Sequence, residues 1–165
     1  MNVVEANAAA VGRLLQLITP APDALEQEAV RDAVQAARDQ DLPLMWAVYQ
    51  LGRDEAVFAA EWPDVFSLVE QLRMVAANWQ ADVFFGVQEA EDEALVFECD
   101  PRWLLQVAAR ELSGYGLALW RWQGDNPGLC LGFVCREEDG DLLLQCATAL
   151  ETRLLRVEDE DWEEA

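Results

Sequence analysis

The chain has 165 residues, of which 53% are hydrophobic and 26% charged, enough apolar material for one buried core and too much for a disordered chain. Against 32 Asp and Glu stand 11 cations, a formal net charge of -21, and every cation is arginine because the sequence has neither lysine nor histidine. Those absences exclude Ser-His-Asp and Cys-His nucleophile pairs, imidazole bases, His-rich zinc sites, Schiff-base lysines and the phosphate-cradling lysine of a P-loop.

Apolar residues at positions 4, 11, 14, 15 and 18 make one helical stripe, which Thr19-Pro20 stops. Asp23-Ala24-Leu25-Glu26 is a capping-box pattern and predicts a second helix to about Asp39. After Asp41-Leu42-Pro43 the run Leu44 to Leu51 predicts a short helix closed by Gly52, with a strand over Met45 to Tyr49 as the alternative. Ala56 to Trp62 is short, apolar and bounded by charge and proline, the pattern of a buried strand. Pro63-Asp64 then opens a helix to about Asn78 with Val65, Leu68, Val69 and Leu72 on one face.

Val83-Phe84-Phe85-Gly86-Val87 reads as a further strand, and Asp100-Pro101 as the cap and first-turn proline of a helix to Ser113. Tyr115 to Trp122 and Leu129 to Cys135, joined through Gly124-Asp125-Asn126-Pro127-Gly128, form the clearest hairpin. A helix from about Leu142 to Leu150 and a last strand over Thr152 to Val157 close the order. The sum is one α+β domain over residues 1–157, a two-layer sandwich with a mainly antiparallel sheet, helices on one face and helices leading, followed by an acidic tail over 158–165.

Trp120 and Trp122 share one face of their strand and Leu117 and Leu119 the other, so that strand is apolar on both sides. With Arg121 interrupting the leucine face, the tryptophan face is expected to be core or a dimer surface, and the oligomeric state stays open. Neither Ser67 nor Ser113 lies in a Gly-x-Ser-x-Gly elbow, and Cys99, Cys130, Cys135 and Cys146 contain no Cys-x-x-Cys pair, so both sets read as structural. No apolar run approaches the roughly 18 residues of a bilayer span, and Met1 to Glu5 lacks a basic region leading into an apolar stretch; the expected location is the cytoplasm.

Half of the carboxylates fall in three stretches, 88–100, 137–141 and 158–164. Such density repels nucleic acid and anionic membranes, and it is either screened by solvent or met by a cationic partner. Glu137 to Asp141 does not follow the Asp-x-Asp-x-Asp-Gly calcium loop, since Cys135 stands where an acid is needed, and no cofactor is implied.

The elements Ala56 to Trp62 leading into a helix, Gly116-Leu117-Ala118-Leu119-Trp120 leading into a hairpin, and a closing Arg153-Leu154-Leu155-Arg156-Val157 resemble a bacterial family of uncharacterised proteins over about residues 56–157. That resemblance implies a small cytosolic α+β protein and carries over no catalytic residue. The leading expectation is an interaction or regulatory module, not a catalyst, that engages a basic protein as an immunity factor, antagonist or adaptor does. Its candidate contacts are Glu89, Glu91, Asp92 and Glu93 in one loop, Glu137, Glu138, Asp139 and Asp141 in another, and Trp162 in the tail. The competing expectation is a carboxylate-dependent enzyme or divalent-metal-binding protein using the same loops, and a third is a small-ligand binder with an aromatic pocket.

Overall fold

A computed structural model describes residues 2–20, 26–53, 55–87, 93–123 and 126–160. Three helices lead: α1 (Val3–Leu17), α2 (Gln27–Asp39) and α3 (Leu44–Gly52). The Asn2 side chain caps α1 by accepting from the Glu5 amide at 2.8 Å. The capping box read for α2 lies mostly outside the described residues, and the helix opens at Gln27. Strand β1 (Val57–Glu61) follows, then α4 (Val65–Asn78), the single turn α5 (Glu93–Val96) and α6 (Pro101–Ser113). The helix read as opening at Pro63-Asp64 starts at Val65 with Asp64 as its cap; as the sequence predicts, Asp100 caps α6 and Pro101 occupies its first turn. Strands β2 (Leu117–Trp122) and β3 (Leu129–Arg136) pair antiparallel, a 3₁₀ turn over Glu137–Asp139 leads into α7 (Gly140–Ala149), and β4 (Leu154–Arg156) precedes a second 3₁₀ turn over Val157–Asp159.

The four strands run antiparallel in the order β1-β3-β2-β4. The class, the antiparallel sheet and the leading helices are those expected. The helical layer differs, because helices cover both faces of the sheet. One face presents Val57, Phe133, Trp120, Trp122, Ala118 and Cys135 to α1, α2, α3 and α7. The other presents Phe58, Ala60, Leu117, Leu119, Cys130 and Val134 to α4 and α6. The cause is already in β2, whose six residues are all buried: with period-two alternation, a strand apolar on both faces save for Arg121 needs cover on both sides. Trp120 and Trp122 are therefore core, with the Trp122 and Phe133 rings stacked at 5.8 Å. Each fully buried large apolar side chain, such as Leu14 or Leu104, contributes about 2 kcal/mol.

Gly132 in β3 sits opposite Phe58 on one side and Arg121 on the other, and a Cβ there would lie 2.3 Å from the Trp120 carbonyl oxygen. Only glycine fits that crossing. Val83 to Val87 is not a strand but an irregular link from α4 towards α5, with Phe85 at φ 53° and Gly86 at φ 77°. The Glu111 carboxylate of α6 accepts from the Phe84 and Phe85 amides at 3.0 and 2.8 Å, and Arg73 lies over the Phe85 ring at 5.5 Å. These tertiary ties satisfy the backbone that a ladder would otherwise have paired.

Candidate functional site

Two surfaces combine chemistry-bearing side chains. The first forms where β3 and β4 end. The 3₁₀ turn after β3 displays Glu137 and Glu138, with Asp139 partly buried and Asp141 exposed in the first turn of α7. The turn after β4 displays Glu158 and Asp159. Arg156 joins the two, its Nη2 lying 3.5 Å from Glu137 Oε1 and 3.4 Å from Glu158 Oε2. Two acidic stretches nearly twenty residues apart in the chain thus share one guanidinium and form one face. Both contacts are long and solvent-exposed, so they orient the arginine more than they stabilise the fold.

Of the remaining sequence candidates, Glu89, Glu91, Asp92 and Trp162 lie outside the described residues, and Glu93 opens α5. Glu160, in the stretch expected to be a solvated tail, is held inside: its carboxylate takes both Arg121 Nε and Nη2, at 2.5–2.9 Å, with the two side chains only 11% and 12% exposed. Gln106 of α6 pins the same segment by donating to the Val157 carbonyl at 2.7 Å. Arg121 also lies over the Trp62 ring at 5.7 Å. This is how one cation is accommodated on an otherwise apolar strand face.

The second surface is a cleft of about 690 Å³ at the opposite end of the sheet. Alternation places Ala59, Leu131 and Trp122 in one row across β1, β3 and β2, with Glu61 and Leu129 in the next row out. The helical layer covers Trp122 but leaves Ala59, Leu131 and Leu129 half-buried and Glu61 exposed. Trp46 and Tyr49 of α3 form one wall and the Leu150–Arg153 turn after α7 forms another, over a floor of Trp122 and Leu131. Glu61, Asp64 and Glu151 also line it, with Arg153 as the cation among the described lining residues. The acid-based reading of the sequence does not name this cleft, although the tryptophan count is the signal from which an aromatic pocket is inferred.

A family model described as a domain of unknown function, DUF6630, matches residues 10–158. The chain belongs to the DUF6630 family. No curated protein and no solved structure matches it. The family match takes in the helical N-terminal half as well as the region where the sequence resemblance was read, so both surfaces of this DUF6630 chain lie within the family's domain apart from the residues after 158.

Nothing among the described residues of the DUF6630 domain groups three or more Cys, Asp or Glu side chains so as to hold a metal ion. The four cysteines are free thiols; Cys130, Cys135 and Cys146 are buried and Cys99 is half-buried. Burial pushes Cys130 and Cys135 up to about 12 and also raises Cys146, so these three are protonated at neutral pH and are poor nucleophiles. No helix among the described residues is long and apolar enough to cross a membrane.

Proposed function

We propose that this DUF6630 chain is a cytoplasmic binding module that engages a basic partner protein through the face built from 137–141 and 157–159. The observation that carries the reading is the convergence of those two acidic segments on Arg156. Carboxylates gathered on one side repel each other, and that repulsion is relieved when a cationic surface docks. Their backbone is fixed by regular turns and by β3 and β4, so docking orders few groups and loses little entropy. The buried unpaired thiols fit a reducing compartment.

The test compares two variants with equal loss of charge. One carries Glu138→Gln, Asp139→Asn, Asp141→Asn and Asp159→Asn on the acidic face; the other carries Glu26→Gln, Glu28→Gln, Asp32→Asn and Glu70→Gln, all exposed elsewhere. Immobilised wild-type chain is expected to retain a basic protein that elutes as salt rises from about 0.05 to 0.5 M, where screening shortens from roughly 14 Å to 4 Å. The first variant should lose that protein and the second keep it. Equal retention by both would show that net charge alone acts, and would overturn the reading.

A further inference from the structure

We infer that the cleft at the outer end of the sheet is a binding site for a small organic cation that carries an aromatic or alkyl group. The inference is independent of the acidic face, which lies at the other ends of β3 and β4.

The cavity arises where the helical cover of the sheet thins. On the face covered by α1, α2, α3 and α7, the rows containing Val57, Phe133 and Trp120 are packed over. In the next two rows Trp122 is still packed over, while Ala59, Leu131 and Leu129 are only half-buried and Glu61 is exposed, so the cover thins towards β1. A concave, mainly apolar space of about 690 Å³ with a few polar groups at its rim is the size and composition of a small-molecule site. Trp46 and Tyr49 are half-buried rather than packed away, so their rings are available from the cleft they line.

Three features select a cation. The first is the lining charge, with carboxylates of Glu61, Asp64 and Glu151 against the guanidinium of Arg153. Asp64 Oδ1 already accepts from the Ser67 amide at 3.0 Å as the α4 cap, so its charge and the positive end of that helix offset each other, and Glu61 and Glu151 carry the acidic excess over Arg153. The second is ring content: the half-buried Trp46 and Tyr49 supply the negative ring faces that attract a desolvated cation, with the buried Trp122 beneath them. This fold uses that interaction repeatedly, with guanidinium groups over Phe85, Trp62 and Trp79 at 5.5, 5.7 and 5.1 Å. The third is the field of the whole chain, whose net charge of -21 concentrates cations and depletes anions around any opening.

Alternation puts Glu61 on the cleft side of β1, in register with Leu129. It is exposed, and it lies beyond the last apolar row, at the mouth. A ligand with its apolar group over Trp122 and Leu131 would present its charged end to Glu61 and Glu151.

The probes are benzyltrimethylammonium, benzyl alcohol and benzoate, which keep one ring and change the head-group charge, titrated while the indole N–H signals are followed by NMR. The ammonium is expected to shift the Trp46 and Trp122 signals saturably and to bind at least about tenfold tighter than the alcohol, with benzoate weakest. Trp46→Leu and Glu61→Gln should each weaken the ammonium several-fold. The acidic-face variant described above should bind it as wild type does, so failure here leaves the docking proposal standing and the converse holds too. Should Trp46→Leu fail to fold, Glu61→Gln at its exposed position decides. Equal binding of all three probes, no saturable shift up to about 10 mM, or an unchanged affinity in folded Glu61→Gln would each overturn the inference.

Discussion

Replacing Gly132 by alanine tests whether β3 crosses its neighbours β1 and β2 as closely as described. The new Cβ would stand 2.3 Å from the Trp120 carbonyl oxygen and 2.4 and 2.6 Å from Cζ and Cε1 of Phe58. An ordinary contact needs at least 3.4 Å, so two neighbours must each give about 1 Å. The Phe58 ring is fully buried in the core with α4 and α6, and the carbonyl belongs to a backbone fixed between β3 and β4. Relieving such an overlap costs about 1–3 kcal/mol in a packed core. Two clashes, one with backbone, place this site at the upper end, and the restricted unfolded chain returns less than about 1 kcal/mol. The net expectation is a loss of about 2–3 kcal/mol, read as a lower urea midpoint and a melting temperature lower by roughly 4–12 °C for a chain of this size. Adding Phe58→Leu should soften the ring clash while leaving the carbonyl clash, so the two losses add to less than their sum. A Gly132→Ala protein within about 0.5 kcal/mol of wild type would refute the close crossing.

Two further outcomes follow from the buried polar groups. Glu160→Ala leaves the Arg121 guanidinium without its main counter-charge in a site about nine-tenths buried, and should cost about 3 kcal/mol by urea unfolding; Arg121→Met with Glu160→Ala should recover much of it, and an equal loss in the double variant would show that the pair is not what stabilises the segment. Cys130 and Cys135 hold their protons to about 12 when folded, against an ordinary value of 9.0. Above pH 9 the unfolded chain releases protons that the folded chain keeps, so stability is complete below about 9 and falls from there towards 12, by up to about 1.4 kcal/mol per pH unit for each thiol. Unfolding curves collected from pH 8 to about 10.5 should be shallower in pH for Cys130→Ala/Cys135→Ala than for wild type; parallel pH dependence would refute the shift.

Much of the fold was legible because its signals are local. Asp64 and Asp100-Pro101 mark helix starts by chemistry confined to one turn, and the alternation in β2 and β3 survives folding unchanged. Two-sided burial was also written in Leu117 to Trp122, but Arg121 reads as a solvent mark until Glu160, far along the chain, is known to neutralise it. Val83 to Val87 has strand composition and no strand, because Glu111 and Arg73 supply partners from other helices. The acidic stretches were visible individually, whereas their meeting at Arg156 depends on β3 and β4 flanking β2 and leaving the sheet at the same end. The cleft left only a compositional trace in the tryptophan count; its place depends on where the helical cover thins relative to strands that arrive later in the chain.

A single sheet with its own interior on either side sorts the described core into two clusters, one on each face of the strands. Defects placed in different clusters and well separated are expected to combine additively, while neighbouring defects within one cluster interfere. The helices before β1 pack into one of these clusters, which gives the chain a route by which that half loosens while the strands, α4 and α6 stay assembled.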